Sequence, residues 1–199
     1  MNENEPKDKQ NIKNQRVKSY FIEAAKEIIL SEGVENVSVR KVADRAGYTF
    51  TTIYNYFKDL NELLQEVKNV MIQDVMVYMQ GVNPQKKCEL EDIKELNHQY
   101  VKYYIEHPNV FTFFYSYRLH PLTHTREETL DFSRHYHDTY REFVVRGVIK
   151  EDEVPVIAKT LIYVLHGLLA LYFSDNGMTM DYLYAELDKT IEYLLKGRP

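Results

Sequence analysis

Along most of the chain apolar residues recur every three or four positions, the spacing that lines them up on one side of an α-helix. No run alternates between apolar and polar as a half-buried strand would, so the pattern predicts an all-α fold. A first helix, from about Lys13 to Glu32, sets Phe21, Ala24, Ala25, Ile28 and Ile29 on one stripe and stops at Gly33, which can take the left-handed conformation that closes a helix. Ser38 is a good N-cap for a short second helix, in which Val39, Val42, Ala43 and Ala46 form the inner face before Gly47. A third, Thr49 to Tyr56, buries Ile53 one turn from Phe57. Asp59 caps a long fourth helix through Val67, Val70, Met71, Val75 and Met79, with Glu62 at capping-box spacing, and "GVNP" from Gly81 ends it.

Beyond Pro84 the periodicity predicts helices at about Glu89–Glu106, just after Pro108, at Thr123–Gly147, at Glu153–Ser174 and at Met180–Lys196, with joins at Pro121, Pro155 and "SDNG". The expected organisation is a polar, disordered tail over 1–12, a trihelical unit over 13–58, a connecting helix over 59–80 and a helical body over 81–199, about nine helices in all.

The trihelical unit has an unusual outward face. Its third helix shows Phe50, Thr51, Asn55 and Tyr56 where a soluble helix ordinarily shows Lys, Glu or Gln. Charge sharpens the contrast: the net charge is −5, yet residues 13–58 carry eight Lys/Arg against five Asp/Glu, so the acidic excess lies in the body. Two short helices joined by a glycine turn and braced by a third form a helix-turn-helix, whose second helix enters the major groove of DNA. Hydroxyls, an amide and aromatic rings suit such a surface, because they bond phosphates and base edges without carboxylates that DNA would repel.

The stretch "GVENVSVRKVADRAGYTFTTIYNYF" followed by "ELL" resembles the N-terminal domain of the tetracycline-repressor-like (TetR/AcrR) transcriptional regulators. Val39, Arg40, Val42, Ala43, Ala46 and Gly47 match the family's "TVRDIAKRAGVS" pattern, and Thr52, Ile53, Tyr54, Phe57 and Leu63 match its second half. Thr51 stands where the family usually has glycine, Tyr56 where it often has histidine, and Leu60 where a lysine grips a phosphate, a role for which Lys58 is the nearby substitute. The resemblance implies that Thr49 and Tyr54 hold phosphates, that Phe50, Thr51 and Asn55 reach bases, and that Arg40 and Lys41 hold the flanking backbone. Thr52 and Tyr56 complete the DNA-binding set. It also implies a homodimer on a double-stranded DNA operator, acting as a repressor released by a small effector.

The body is rich in aromatic residues, among the chain's 17 Tyr and 9 Phe. Aromatic stripes at helical spacing are usually core, but hydroxyl-tipped rings need polar partners and can line a cavity. Tyr104, Phe114, Tyr117, Tyr136, Tyr140 and His166 are the expected lining of a site for an amphipathic or aromatic molecule. The segment Thr160–Phe173 is read as a buried helix, shorter than the roughly 20 residues that cross a bilayer. Leu161, Leu165, Leu168 and Tyr172, with Leu187, Ile191 and Leu194 on the last helix, are the expected dimer interface, two helices from each chain forming a four-helix bundle.

The remaining chemistry is sparse. The single cysteine, Cys88, excludes an internal disulfide framework and fits a reducing compartment, and with no apolar leader after Met1 the expected location is the cytoplasm. His98, His107, His120, His124, His135 and His137 lack the spacing of a helical metal site, so neither a metal nor a cofactor is expected. No nucleophile motif, phosphate loop or paired acid points to an enzyme. Two other readings remain at the level of sequence: an effector-free DNA-binding protein of chromosome organisation or division, and a helical carrier or enzyme that keeps the trihelical unit as a scaffold.

Overall fold

The computed structural model describes residues 5–82, 89–120, 133–175 and 177–196, with side chains for 11–81, 89–120, 139–175 and 177–196. Among these residues there are nine α-helices and no strand. They are α1 (Glu5–Glu32), α2 (Val39–Arg45), α3 (Phe50–Ile53), α4 (Leu60–Val82), α5 (Leu90–Glu106), α6 (Pro108–Phe111), α7 (Ser133–Val145), α8 (Val154–Phe173) and α9 (Met180–Leu195). The chain forms two compact units, one of Met1–Val75 with His107–Glu127, the other of Met76–Glu106 with Glu128–Pro199.

In the first unit α1 supplies the core. Phe21, Ala25, Ile28 and Ile29 are fully buried, and the Phe21 ring lies 5.2 Å from Tyr48, 5.8 Å from Tyr56 and 6.5 Å from Phe57. The α1 stripe ends where Gly33 turns to a φ of +89°. At its other end α1 reaches back to Glu5, across residues expected to be disordered. The reason is local: "EPKDKQNIKNQ" has no glycine, its Lys, Glu and Gln are good helix formers, and its proline falls in the first turn, where no backbone N–H is needed.

Leu63, Leu64, Val67 and Met71 of α4 close the core, while Lys18 pairs with Glu66 at 2.7 Å and Lys26 with Asp74 at 2.8 Å, tying α1 to α4. The Asp59 carboxylate accepts the Glu62 N–H at 2.9 Å, and Glu62 reaches back to the N–H of Lys58 rather than of Asp59.

The segment after α5 belongs to this first unit, not to the C-terminal body. α6 packs on α1, where Asn109 donates to the carbonyl of Leu30 at 3.1 Å, and a wider π-turn over Thr112–Ser116 buries Phe113 and Phe114. Asn61 of α4 then clamps His120 through both backbone groups, each at 2.9 Å.

In the second unit α8 packs on α9 and α7, and α5 packs on both α8 and α9. Its core is made of Ile93, Val101 and Tyr104 from α5, Tyr140 and Phe143 from α7, the stripe Val154, Ile157, Ala158, Leu161, Leu165 and Leu169 of α8, and Leu183, Leu187, Ile191 and Leu195 of α9. Lys94 bridges α5 to Glu192 of α9 at 2.9 Å, and His98 bonds Asp188 at 2.7 Å. Together with Lys196, Lys94 holds the Glu192 carboxyl down at about 2.

The helix read from sequence as buried is buried on one face only. Val156, Tyr163 and Leu171 of α8 are exposed, Tyr163 by 70%. With its leading turn the helix spans Glu151–Phe173, long and apolar enough by length and composition alone to cross a membrane, yet its other face forms the core just described. The expected start of α7 at Thr123, and Cys88, His124 and the side chains of His135, Tyr136 and His137, lie outside the described residues.

Candidate nucleic-acid interface and effector cavity

The interface is built by two short helices set by their caps. The Ser38 hydroxyl accepts the N–H of Lys41 at 3.3 Å and starts α2; Gly47, at a φ of +77°, turns the chain so that Tyr48 N–H bonds Ala43 at 2.8 Å. α3 is one α-turn, shorter than predicted. Asn55 and Tyr56 donate to Thr52 and Ile53 three residues back, which tightens the rest of the segment, as expected where Asn and Tyr replace strong helix formers. Ile53 and Phe57 are buried beneath it.

Above that core stand Thr49, Phe50, Thr51, Tyr54 and Asn55, all exposed, Phe50 by 47% and Tyr54 by 54%. The Thr49 hydroxyl lies 2.9 Å from that of Thr51 and 2.8 Å from that of Thr52, so three hydroxyls cluster where α3 begins. The Arg40 guanidinium sits 5.6 Å from the centre of the Phe50 ring, a cation–π pair that joins α2 to α3.

Other members of the expected set are placed differently. Tyr56 is half-buried against Phe21, so its ring serves the α1 contact. Thr52 and Lys41 are also half-buried. Lys41 is ion-paired with Glu32, which Arg45 also meets at 3.3 Å, and the Lys41 bond holds the Glu32 carboxyl below the usual carboxylate range. A phosphate at Lys41 must compete with that carboxylate. Lys58 is exposed and Leu60 half-buried.

A cavity of about 190 Å³ opens in the second unit, lined from α5 by Leu96, Asn97 and Tyr100, from α7 by Thr139 and Tyr140, and from α8 by Ala158, Leu161, Ile162, Leu165 and His166. Met76, Met79 and Gln80 from the end of α4 complete it. Tyr140 and His166 are the two expected residues that the structure brings to this cavity. Tyr104 is buried one turn from Tyr100, while Phe114 and Tyr117 lie in the first unit and do not line it. His166 Nε2 and the Tyr100 hydroxyl are 3.0 Å apart, and burial pushes the imidazole down to about 4, leaving it neutral at physiological pH.

The sequence reading missed Met76, Met79, Asn97 and Tyr100. The signal available was their i, i+3 spacing, Met76 with Met79 and Asn97 with Tyr100. Leu161 and Leu165, assigned from sequence to a dimer interface, line the cavity, and Leu187 and Ile191 are fully buried in the core of their own chain, so none of the four is free to meet a partner. Leu168, Tyr172 and Leu194 are half-buried. Among the described residues no three His, Cys, Asp or Glu side chains gather as metal ligands.

An all-helical chain with this trihelical unit at its N-terminus is a helix-turn-helix protein. Residues 21–67 match the family model of bacterial regulatory proteins, tetR family. The likeness by sequence lies in the trihelical unit and the start of α4, and along its length the chain has the fold of solved TetR-family transcriptional regulators. RolR in complex with resorcinol aligns with a TM-score of 0.65 at 16% identity, over 94% of this chain and 90% of its own. A TetR-family regulator of Haemophilus influenzae Rd aligns at 0.63 and 15%, over 89% and 96%. The superantigen PfiT aligns at 0.64 and 16%, over 92% and 97%, so the likeness extends to a protein described by a different role. None of the curated proteins matches the chain by sequence.

Proposed function

We propose that the protein is a homodimeric, sequence-specific DNA-binding transcriptional regulator of the cytoplasm, a repressor released when a small amphipathic or aromatic molecule enters the cavity of the second unit. The observation that carries the DNA reading is the exposed face of Thr49, Phe50, Thr51, Tyr54 and Asn55, which holds no carboxylate and stands on a buried Ile53–Phe57 base. Each chain lays this face in one major groove, Thr49 and Tyr54 on phosphates and Phe50, Thr51 and Asn55 on base edges, with Arg40, Lys41 and Lys58 on the flanking backbone.

The dimer reading rests on the outer face of α8. Val156, Tyr163 and Leu171 are exposed at helical spacing, and Gly167 lies between them with open space above it, a stripe that a second copy would bury. It differs from the interface expected from sequence, of which Leu161, Leu165, Leu187 and Ile191 face inward. The effector reading rests on α4, which buries Leu63, Leu64, Val67 and Met71 in the first unit and presents Met76, Met79 and Gln80 to the cavity. A ligand that favours one position of that helix shifts the population of DNA-competent molecules only by its difference in affinity for the two states. That RolR has been solved with resorcinol fits an effector of this size.

The test is selection of bound fragments from genomic DNA, followed by binding measurements on the enriched sequence. Tyr54→Phe combined with Asn55→Ala is expected to cost at least about tenfold in affinity for it. Unchanged retention by the double variant would reduce the trihelical unit to a scaffold.

A further inference from the structure

We propose that the cavity selects neutral molecules of about one ring that carry a single hydrogen-bond donor, which Asn97 accepts, and that it rejects carboxylates and amines. This deepens the effector reading above and rests on it for biological meaning, but not for its chemistry.

Size comes first. A cavity of about 190 Å³ is close to the ~150 Å³ that holds one benzene in an engineered protein core, and below the ~300–1,000 Å³ of sites for larger ligands. Charge comes second. Among the described lining residues there is no Lys, Arg, Asp or Glu, and the one titratable base, His166, is neutral because it is buried. An ion entering this site loses its hydration and meets no counter-charge among the described lining residues, so its desolvation goes uncompensated.

Polarity comes third. Asn97 donates its amide N–H to the carbonyl of Ile93 at 2.7 Å, within its own helix, and this orients the amide with Oδ1 as the acceptor. The Tyr100–His166 bond joins α5 to α8 across the lining and places two further polar groups among Met76, Met79, Leu161 and Leu165. An apolar ring against the Met and Leu side chains, with one hydroxyl toward Asn97, satisfies both kinds of wall.

The probes are four compounds sharing one ring: benzyl alcohol, toluene, benzoate and benzylammonium, titrated by calorimetry into the full chain at millimolar concentrations. Benzyl alcohol is expected to bind tightest, toluene about tenfold weaker for want of the hydrogen bond, and the two ions at least about a hundredfold weaker. Asn97→Leu is expected to bring benzyl alcohol and toluene within about twofold of each other. The ranking within the unaltered chain tests the proposal even where that variant folds poorly.

Tighter binding of benzoate or benzylammonium, equal binding of alcohol and toluene, or no binding of any of the four overturns the proposal. The effector reading fails separately: the expected ranking with no change in DNA affinity sustains this inference and removes the regulatory one.

Discussion

Replacing Phe21 by alanine tests the physical basis of the DNA-binding unit. The ring is 0% exposed and lies within 6.5 Å of the rings of Tyr48, Tyr56 and Phe57, so it is the piece of α1 against which the turn after α2 and the end of the α3 segment are both set. Truncating a buried phenylalanine costs about 3–5 kcal/mol through lost transfer energy and the cavity left behind. The upper half of that range is expected here, because three ring contacts go with it, each worth about 0.5–1.5 kcal/mol beyond burial. Phe21→Leu keeps most of the volume but gives up the same ring contacts, and should cost less than alanine but at least about 1.5 kcal/mol. The assay is urea unfolding followed by circular dichroism, alongside fluorescence anisotropy with the selected DNA fragment. A domain stabilised by only ~5–15 kcal/mol cannot absorb the alanine change unnoticed, so DNA affinity should fall with stability. A Phe21→Ala protein within about 1 kcal/mol of the parent would show that Phe21 does not anchor the unit, and the packing argument would fail.

Two further outcomes are expected. Tyr163→Glu places a charge in the middle of the exposed α8 stripe; light scattering should show the dissociation constant of the proposed dimer rising by about two orders of magnitude, with operator affinity falling in step. His166 should make the protein acid-sensitive. Its imidazole titrates at about 4 when folded against 6.5 when free, so as pH falls through that window the unfolded chain takes up the proton first. Stability is full above about pH 6.5 and is lost toward pH 4, by at most ~3 kcal/mol. Urea midpoints measured across that range should show the loss, and His166→Gln should remove it.

The local features of this protein were fixed by local chemistry. The Phe21–Ile29 stripe, the Ser38 and Asp59 caps, the glycine turns at Gly33 and Gly47 and the buried Ile53–Phe57 pair follow from spacing and backbone preference within a few residues, and so does the exposed face of hydroxyls, rings and an amide. Periodicity can tell a helix with one apolar side where to put it. It gives no phase to α8, which is apolar nearly all round, and so Leu161 and Leu165 could be assigned to a partner surface although they face their own cavity.

Contacts distant in sequence decided the rest. Asn109 and Asn61 draw the segment after α5 onto α1 and α4 and take Phe114 and Tyr117 away from the cavity; Glu32 engages Lys41; Phe21 draws in Tyr56. Each depends on which surfaces meet once the helices pack, and the free energy of burying one face against another is a property of the pair, not of either sequence segment alone.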